Sequence, residues 1–345
     1  MKRAMWIVAA LWTFGAGTAW PIDQIFTSTS EKPYFGKIVS MSAMGINFES
    51  QRRGGPTEIP ANEITRIIFG NSPESLLSAQ GAILHGEYEK AIDVLKKETT
   101  DDARPEVAQE IAFSRAYCTA KLALSGAADA MEAGKQMFAF ITNSPDNFHN
   151  LKACELMGDL CVALGKFADA EKYYAKLSQA PWPDYKIRAQ VALGRSYLAQ
   201  DNASAADKAF DEALNNDAPG ELAEAQRTTA RIGKARCLAL TGKTDVALRN
   251  LNEILDQTDE KHTEINAMAY NALGMALRKA GKPKEAILAF LHVHLVYSTQ
   301  PDLDAEAVAN LEKLFIETHK PNHASDMREI LDDKYKNSRW AKGVK

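Results

Sequence analysis

Histidine pairs are the first residues in this chain whose spacing could do chemistry, because two imidazoles held on one face can bind a metal ion. His292 and His294 are two residues apart. On a helix that spacing points them to different faces, so they cannot converge as an i, i+4 pair does. His319 and His323 have better spacing, but Pro321 lies between them and breaks the helix that would align them, which predicts a loop. We therefore expect no metal site.

Cysteines are the second candidates, since they can form disulfides or bind metals. The chain has four, all within predicted helices: Cys118, Cys154, Cys161 and Cys237. Cys154 and Cys161 are seven residues apart on one helix, or about 10 Å by helical rise, which is beyond the reach of a disulfide. Packing as small apolar side chains is the interpretation we favour, with a bridge from Cys118 to a neighbouring helix as the alternative.

Sequence motifs of catalysis are missing from the chain. It has no Gly-rich phosphate-binding loop, no G-x-S-x-G nucleophile turn and no cysteine pair with metal spacing. The helical repeats and short strands described below account for the chain after its N-terminal segment, and they leave no stretch for a separate catalytic domain. The sequence therefore predicts a protein that is not an enzyme and has no cofactor.

Three helical hairpins with one shared spacing dominate the rest of the sequence. Each has a glycine in its first helix, an alanine in its second helix and an aromatic residue four positions later. The glycine lets the two helices approach, the alanine fills the facing space, and the aromatic side chain fills the gap toward the next hairpin. The copies are Gly158, Ala170 and Tyr174; Gly194, Ala206 and Phe210; and Gly274, Ala286 and Phe290. We expect Gly194 to reject a larger side chain and Gly220, in a predicted loop, to accept one.

Weaker copies extend the array at 74–95 and 105–145 before the three strong ones, at 235–251 between the second and third, and at 303–335 after them. The last of these is polar and charged, which suits a capping hairpin. Ser72-Pro73-Glu74 marks the first helix start, with a capping hydroxyl and a proline at the first helical position. The close-contact residues recur at intervals of 36, 41 and 39 residues. The loops therefore carry insertions, which we expect at 179–185 and 256–263.

The order Leu-Gly-x2-Tyr followed by Ala-x3-Phe, at 193–210, resembles the tetratricopeptide repeat. The resemblance implies a mainly α protein in which about six to seven helix pairs form a solenoid over residues 71–345, with capping helices at its C-terminal end. In that family, first-helix side chains line a concave groove that binds a protein or peptide. The resemblance thus implies a groove of the same kind here.

Carried over position by position, the resemblance places seven side chains in the groove: Glu155, Asp159, Arg188, Arg195, Arg236, Asn271 and Arg278. Arg195 and Arg236 stand at equivalent positions of adjacent repeats, so stacking would bring two guanidinium groups onto one wall. Guanidinium groups bind carboxylates in a bidentate manner, and we expect a partner with an acidic segment or a C-terminal carboxylate. The alternative is that both arginines pair with Asp or Glu of neighbouring helices.

A small all-β domain is predicted over residues 20–70. Its β-rich runs lie at 25–27, 34–41, 45–49, 58–59 and 64–69, separated by clusters of Gly, Pro and Ser that are typical of turns. Their order resembles an Sm-like or Src-homology-3-like barrel. The link to the first helix is short, which predicts that this domain packs against the first helices.

The first 19 residues have the pattern of a cleavable signal peptide. Lys2 and Arg3 precede an apolar run, and small residues ending at Ala19 follow it. The run is shorter than the roughly 20 apolar residues that span a bilayer. We expect cleavage after Ala19, a periplasmic or secreted protein, and membrane association only through a partner. An uncleaved anchor or a chance hydrophobic start is the alternative.

The net charge argues against nucleic acid as a partner. It is −4 for the whole chain and becomes −6 when Lys2 and Arg3 are removed, whereas nucleic-acid binding requires a concentrated basic surface. We interpret the protein as an exported, non-enzymatic adaptor that binds a peptide or protein. Two alternatives stay open: a structural subunit of a cell-envelope or secretion assembly, and an envelope enzyme with an unrecognised site.

Overall fold

The computed structural model describes residues 22–100 and 103–342. The predicted signal peptide, residues 1–19, and its cleavage site after Ala19 therefore lie outside the described residues. In the part that is described, a β-sheet comes first and helices follow to the end. None of these helices is long and apolar enough to cross a membrane.

Five antiparallel strands form the N-terminal sheet: β1 (Asp23–Thr27), β2 (Ser30–Ser42), β3 (Gly45–Ser50), β4 (Glu58–Pro60) and β5 (Ile64–Ile68). Their order in the sheet is β4-β3-β2-β1-β5. Alternate side chains such as Ile25, Ile46 and Ile67 point into the core, since successive residues of a strand face opposite sides. The five predicted strands are confirmed. No ladder among the described strands joins the edges β4 and β5, so closure into a barrel stays a prediction.

Fourteen helices follow the sheet in the described residues. They are α1 (Glu74–Leu84), α2 (Tyr88–Leu95), α3 (Pro105–Ser125), α4 (Ala130–Asn143), α5 (Asn150–Ala163), α6 (Phe167–Ser178), α7 (Pro183–Ala199), α8 (Ala203–Leu214), α9 (Glu221–Leu240), α10 (Thr244–Gln257), α11 (Thr263–Lys279), α12 (Pro283–Val296), α13 (Pro301–Glu317) and α14 (Pro321–Lys334). Each odd-numbered helix packs against the next helix in the chain. The result is seven hairpins, within the predicted six to seven.

The close-contact glycines pack as the repeat spacing predicts. A Cβ on Gly158 would lie 2.3 Å from the ring of Tyr174, and one on Gly274 would lie 2.6 Å from the ring of Phe290. Each glycine thus makes room for the aromatic residue of its own hairpin. The Gly194 and Phe210 pair has the same geometry, with 2.5 Å between the added Cβ and the ring.

Three local expectations are wrong. The Ser72 hydroxyl does not cap α1: it is buried without a hydrogen bond, and Pro73 takes the N-cap position. Gly220 has open space around it but a φ of 113°, a conformation that strains any other residue. His323 lies in α14 and not in a loop, because Pro321 starts that helix instead of ending one.

The sheet and helices α1 to α3 share one hydrophobic core, which includes Ile25, Phe69, Leu76 and Ile111. Asp23 joins them through polar contacts. Its buried carboxylate accepts hydrogen bonds from the backbone N–H of Ile38 at 3.0 Å and of Gly70 at 2.8 Å, and from the Arg104 guanidinium at 2.9 Å. The sheet is therefore fixed against the helices, as the short link predicts.

The first helix of each hairpin from α3 onward takes part in a closed ring. In the series α3, α5, α7, α9, α11 and α13 each helix contacts the next, and α13 contacts α3. The chain after α14 adds to this closure, since Asn337 donates its backbone N–H to the carbonyl of Gly126 at 2.9 Å and Ser338 is buried there. The concave surface of the solenoid is thus the inside of a ring, which the sequence does not predict.

Candidate binding site inside the helical ring

A cavity of ≈ 170 Å³, which we call the chamber, lies inside the ring. Four first helices contribute its wall: Glu155 from α5; Arg188, Val191 and Arg195 from α7; Ala225, Gln226 and Thr229 from α9; and Glu264, Ile265 and Met268 from α11. Three of the seven predicted groove residues therefore line one cavity, together with an acidic residue, Glu264, that the prediction did not include.

Arg188 and Glu155 form a closed ion pair at the chamber wall. The Arg188 Nη2 lies 2.6 Å from Glu155 Oε2 and its Nε lies 2.7 Å from Oε1. This bidentate geometry uses both carboxylate oxygens and ties α7 to α5. Because Glu155 is buried, the pair is a fixed part of the wall.

Arg195 is held more loosely. Its Nη2 lies 3.3 Å from Asp159 Oδ1, and the same oxygen accepts a 2.7 Å hydrogen bond from the Tyr174 hydroxyl. Burial raises the pKa of Asp159, while Arg195 opposes that rise. The Arg195 side chain keeps 42% of its surface exposed. A guanidinium has five N–H donors, so most of those on Arg195 stay available to a ligand.

Arg236 lies near a third arginine that the sequence analysis did not single out. Its Nη2 is 2.7 Å from the buried carboxylate of Glu306, and its Nε is buried without a partner. Burial lowers the pKa of Arg339, and the charges of Arg236 and Arg195 lower it as well. The Glu306 carboxylate acts in the opposite direction and raises it. The three arginines therefore lie within electrostatic reach of one another. Arg195 and Arg236 each pair with a carboxylate, which is the alternative that the sequence left open.

The remaining two predicted residues connect α11 to α13. Asn271 is fully buried, and its amide donates to the Leu303 carbonyl at 2.9 Å. Arg278 pairs with Glu317 through both Nε and Nη2. Asn271 thus holds the ring together from within the packing and has no surface to offer a ligand.

Lys152 lies on the same face of α5 as Asp159, and it is a charged residue that the sequence-based prediction did not include. It precedes Asp159 by two helical turns on α5, so the repeat register could have found it. Its Nζ lies 4.8 Å from the centre of the Tyr117 ring. Burial, together with the charge of the neighbouring Arg188, lowers the pKa of Lys152 to about 8, while Glu155 opposes the shift.

We expect Lys152 to titrate more than two pH units below Lys172, an exposed lysine. Lys172 is a suitable comparison, because its hydrogen bond to Asp169 raises its pKa. The two values can be measured by NMR after reductive ¹³C-methylation, with Lys152→Arg identifying the resonance. A Lys152 signal that titrates together with Lys172 would contradict this description of the site.

In the part of the chain that is described, the two histidine pairs belong to no metal-binding cluster. No three His, Cys, Asp or Glu side chains among those residues lie close enough to hold an ion. His292 stacks on Tyr270 and His294 hydrogen-bonds to Asp304, so the two rings point apart as their spacing predicts. All four cysteines are buried free thiols. Burial raises the pKa of the Cys118 thiol to about 12 and that of Cys237 to about 11, which makes both unreactive.

Comparisons with known proteins give the fold. No protein-family model matches the chain, and no curated protein matches it significantly. Among solved structures, a tetratricopeptide repeat protein from Parabacteroides merdae is 15% identical with a TM-score of 0.50, and the match covers 79% of this chain and 96% of that one. A Rap protein complexed with competence and sporulation factor is 12% identical with a TM-score of 0.57, covering 78% and 75%.

A third similar structure, the apo form of RapI, is 12% identical with a TM-score of 0.52 and covers 78% of this chain and 97% of that one. Identities this low speak for the fold alone. The helical hairpins of this chain therefore form a solenoid of the tetratricopeptide-repeat type, preceded by a five-stranded antiparallel sheet.

Proposed function

We propose that the protein is an exported, non-enzymatic adaptor that binds a protein or peptide partner inside the helical ring. The chamber is the proposed site, and a carboxylate of the partner, from an acidic side chain or a chain end, is the proposed ligand. A cavity of ≈ 170 Å³ suits a chain end or a side chain and excludes a folded domain.

The observation that carries this proposal is the state of Arg195. The other arginine of the chamber, Arg188, is closed off by a bidentate pair with Glu155. Arg195 makes one 3.3 Å contact and keeps 42% of its side chain exposed. A guanidinium with open donors in a partly desolvated cavity favours a carboxylate ligand.

The solved structures support a binding role without defining the partner. The Rap structure is described as a complex with competence and sporulation factor, and it shares this fold. Repeat solenoids of this type present extended concave surfaces to their ligands. In this chain the corresponding surface is the ring interior.

Charge reversal at Arg195 tests the site. Arg195→Glu should reduce capture of a partner from the native cell envelope by about tenfold or more, since losing a charge-assisted contact and adding a repulsion costs over 1.4 kcal/mol. Arg231→Glu is the matched control: Arg231 is 44% exposed and pairs with Glu224, but it lies on the opposite face of α9 from Thr229. Equal capture by the two variants, with both folded, would refute the chamber as the site.

Export has a separate test. Intact-mass analysis of the protein from its native source should show a chain that starts at Trp20, because small residues at positions 17 and 19 precede the expected cut. A chain that retains residues 1–19 would contradict cleavage. The chamber proposal does not depend on this result.

A subunit of an envelope assembly is the second candidate, and one feature favours it. The outer face of α12 exposes Leu288, Leu295 and Val296, which are apolar residues on a surface that would be covered in a permanent assembly. Light scattering of the isolated protein separates the two functions. An adaptor should be monomeric, whereas an obligate subunit should self-associate or require its partners for solubility.

A further inference from the structure

A second and larger cavity lies between α4 and α6, on the second helices of two adjacent hairpins. Its volume is ≈ 550 Å³. The floor is apolar, with Met131 and Phe138 from α4, Met157 from α5 and Tyr173 from α6. We call this cavity the lysine-rimmed groove, for the four lysines that surround its floor: Lys135, Lys166, Lys172 and Lys176.

The groove is open because of the residue spacing on α4. Met131, Gly134 and Phe138 lie at i, i+3 and i+7, on one face of the helix. Gly134 has no side chain to fill the space, and a Cβ there would meet only Met157, at 3.9 Å. Phe138 is 54% exposed, so a large aromatic side chain faces solvent at the edge of an unfilled cavity.

The rim has an excess of positive charge, since four lysines and one carboxylate, Asp169, line the cavity. Lys135 and Lys172 pair with Glu132 and Asp169 of their own helices. Lys166 and Lys176 have no carboxylate within ion-pair distance in the described residues, and Lys176 lies 5.3 Å above the Tyr173 ring. An apolar floor with an excess of cations around it complements a segment that carries apolar side chains and carboxylates.

We propose that the lysine-rimmed groove is a second docking site, which takes an acidic amphipathic segment of a partner protein. The segment inserts two or three apolar side chains between α4 and α6 and places carboxylates against Lys166 and Lys176. A second copy of this chain fits less well. The exposed apolar residues Leu288 and Leu295 on α12 have both Lys284 and Glu285 beside them, so that face has no acidic excess.

The test uses a fluorescein-labelled helical peptide about 14 residues long, with Leu and Phe at i, i+3, i+4 and i+7 and Glu at the flanking positions. Fluorescence anisotropy with the protein from Trp20 onward should show saturable binding that weakens as salt increases. Phe138→Glu should weaken binding by about tenfold or more, because it puts a carboxylate in the apolar floor. Lys166→Glu with Lys176→Glu should weaken it similarly and reduce the salt dependence.

Two controls make the result specific. Leu295→Glu places the same new charge at a 73% exposed apolar site outside the groove, and Arg231→Glu reverses a charge outside both the groove and the chamber; both should leave peptide affinity within about twofold. Failure of the chamber proposal would leave this result unaffected. The groove proposal is overturned if the Glu peptide binds no tighter than its Glu→Lys counterpart, if Phe138→Glu retains affinity, or if Phe138→Glu abolishes a dimer of the wild-type chain.

Discussion

Gly194→Ala should lower the free energy of unfolding by about 2 kcal/mol or more, and Gly194→Leu by more still. The added Cβ would lie 2.5 Å from the ring of Phe210, which is fully buried. The ring cannot move away, because its other side is against Gly233 of α9, where a Cβ would lie 2.3 Å from it. Overpacking at Gly194 therefore affects two adjacent hairpins at once.

Gly81→Ala is the matched control for this prediction. Gly81 is also in the interior of a helix, and a Cβ there meets no heavy atom within 4 Å. Alanine should stabilise that helix by up to about 1 kcal/mol, since glycine is the poorer helix former. Urea unfolding of the two variants should thus give changes of opposite sign. Changes of the same sign would mean that the assigned packing at Gly194 is wrong.

Asp23→Ala should cost about 3–5 kcal/mol, the range for removing one partner of a buried ion pair. Three groups lose their acceptor: the backbone N–H of Ile38, the backbone N–H of Gly70 and the guanidinium of Arg104. Because these groups belong to the sheet, to the link and to the residue before α3, the substitution should also loosen the sheet from the helices. Limited proteolysis after Gly70 would detect the loosening.

Glu106→Ala gives the control for Asp23. Glu106 contacts the same Arg104 at 3.5 Å but is 31% exposed, and an exposed pair contributes less than about 1 kcal/mol. Equal destabilisation by the two substitutions would show that Asp23 does not join the sheet to the helices.

The sequence predicts the parts of this fold that depend on neighbours in the chain. Gly158, Gly194 and Gly274 identify the helix contacts because the aromatic residues that they meet lie in the second helix of the same hairpin, at a fixed spacing. Strands β1 to β5 follow from β-rich runs and the turn residues between them, which are also local signals. The Gly233 contact with Phe210 was missed because it lies between hairpins and outside the repeat pattern.

The candidate site depends on contacts between residues that are far apart in the chain, and a repeat pattern does not encode such contacts. Arg236 and Glu306 are 70 residues apart in the chain, and they meet because the solenoid curves back on itself. That curvature is the sum of many small rotations between hairpins. Periodicity therefore could not show which carboxylate Arg195 and Arg236 would each meet. Asn271 has the right register for the groove, yet the approach of α13 covers it.

Contact between α13 and α3 changes how the array should come apart. A linear solenoid frays from its ends, since a terminal hairpin has one neighbour and opens at the cost of one interface. Here each first helix from α3 to α13 has a neighbour on both sides, so releasing any one hairpin breaks two interfaces. Amide hydrogen exchange would then be nearly uniform from α3 to α13, without the gradient of protection that runs along an open array.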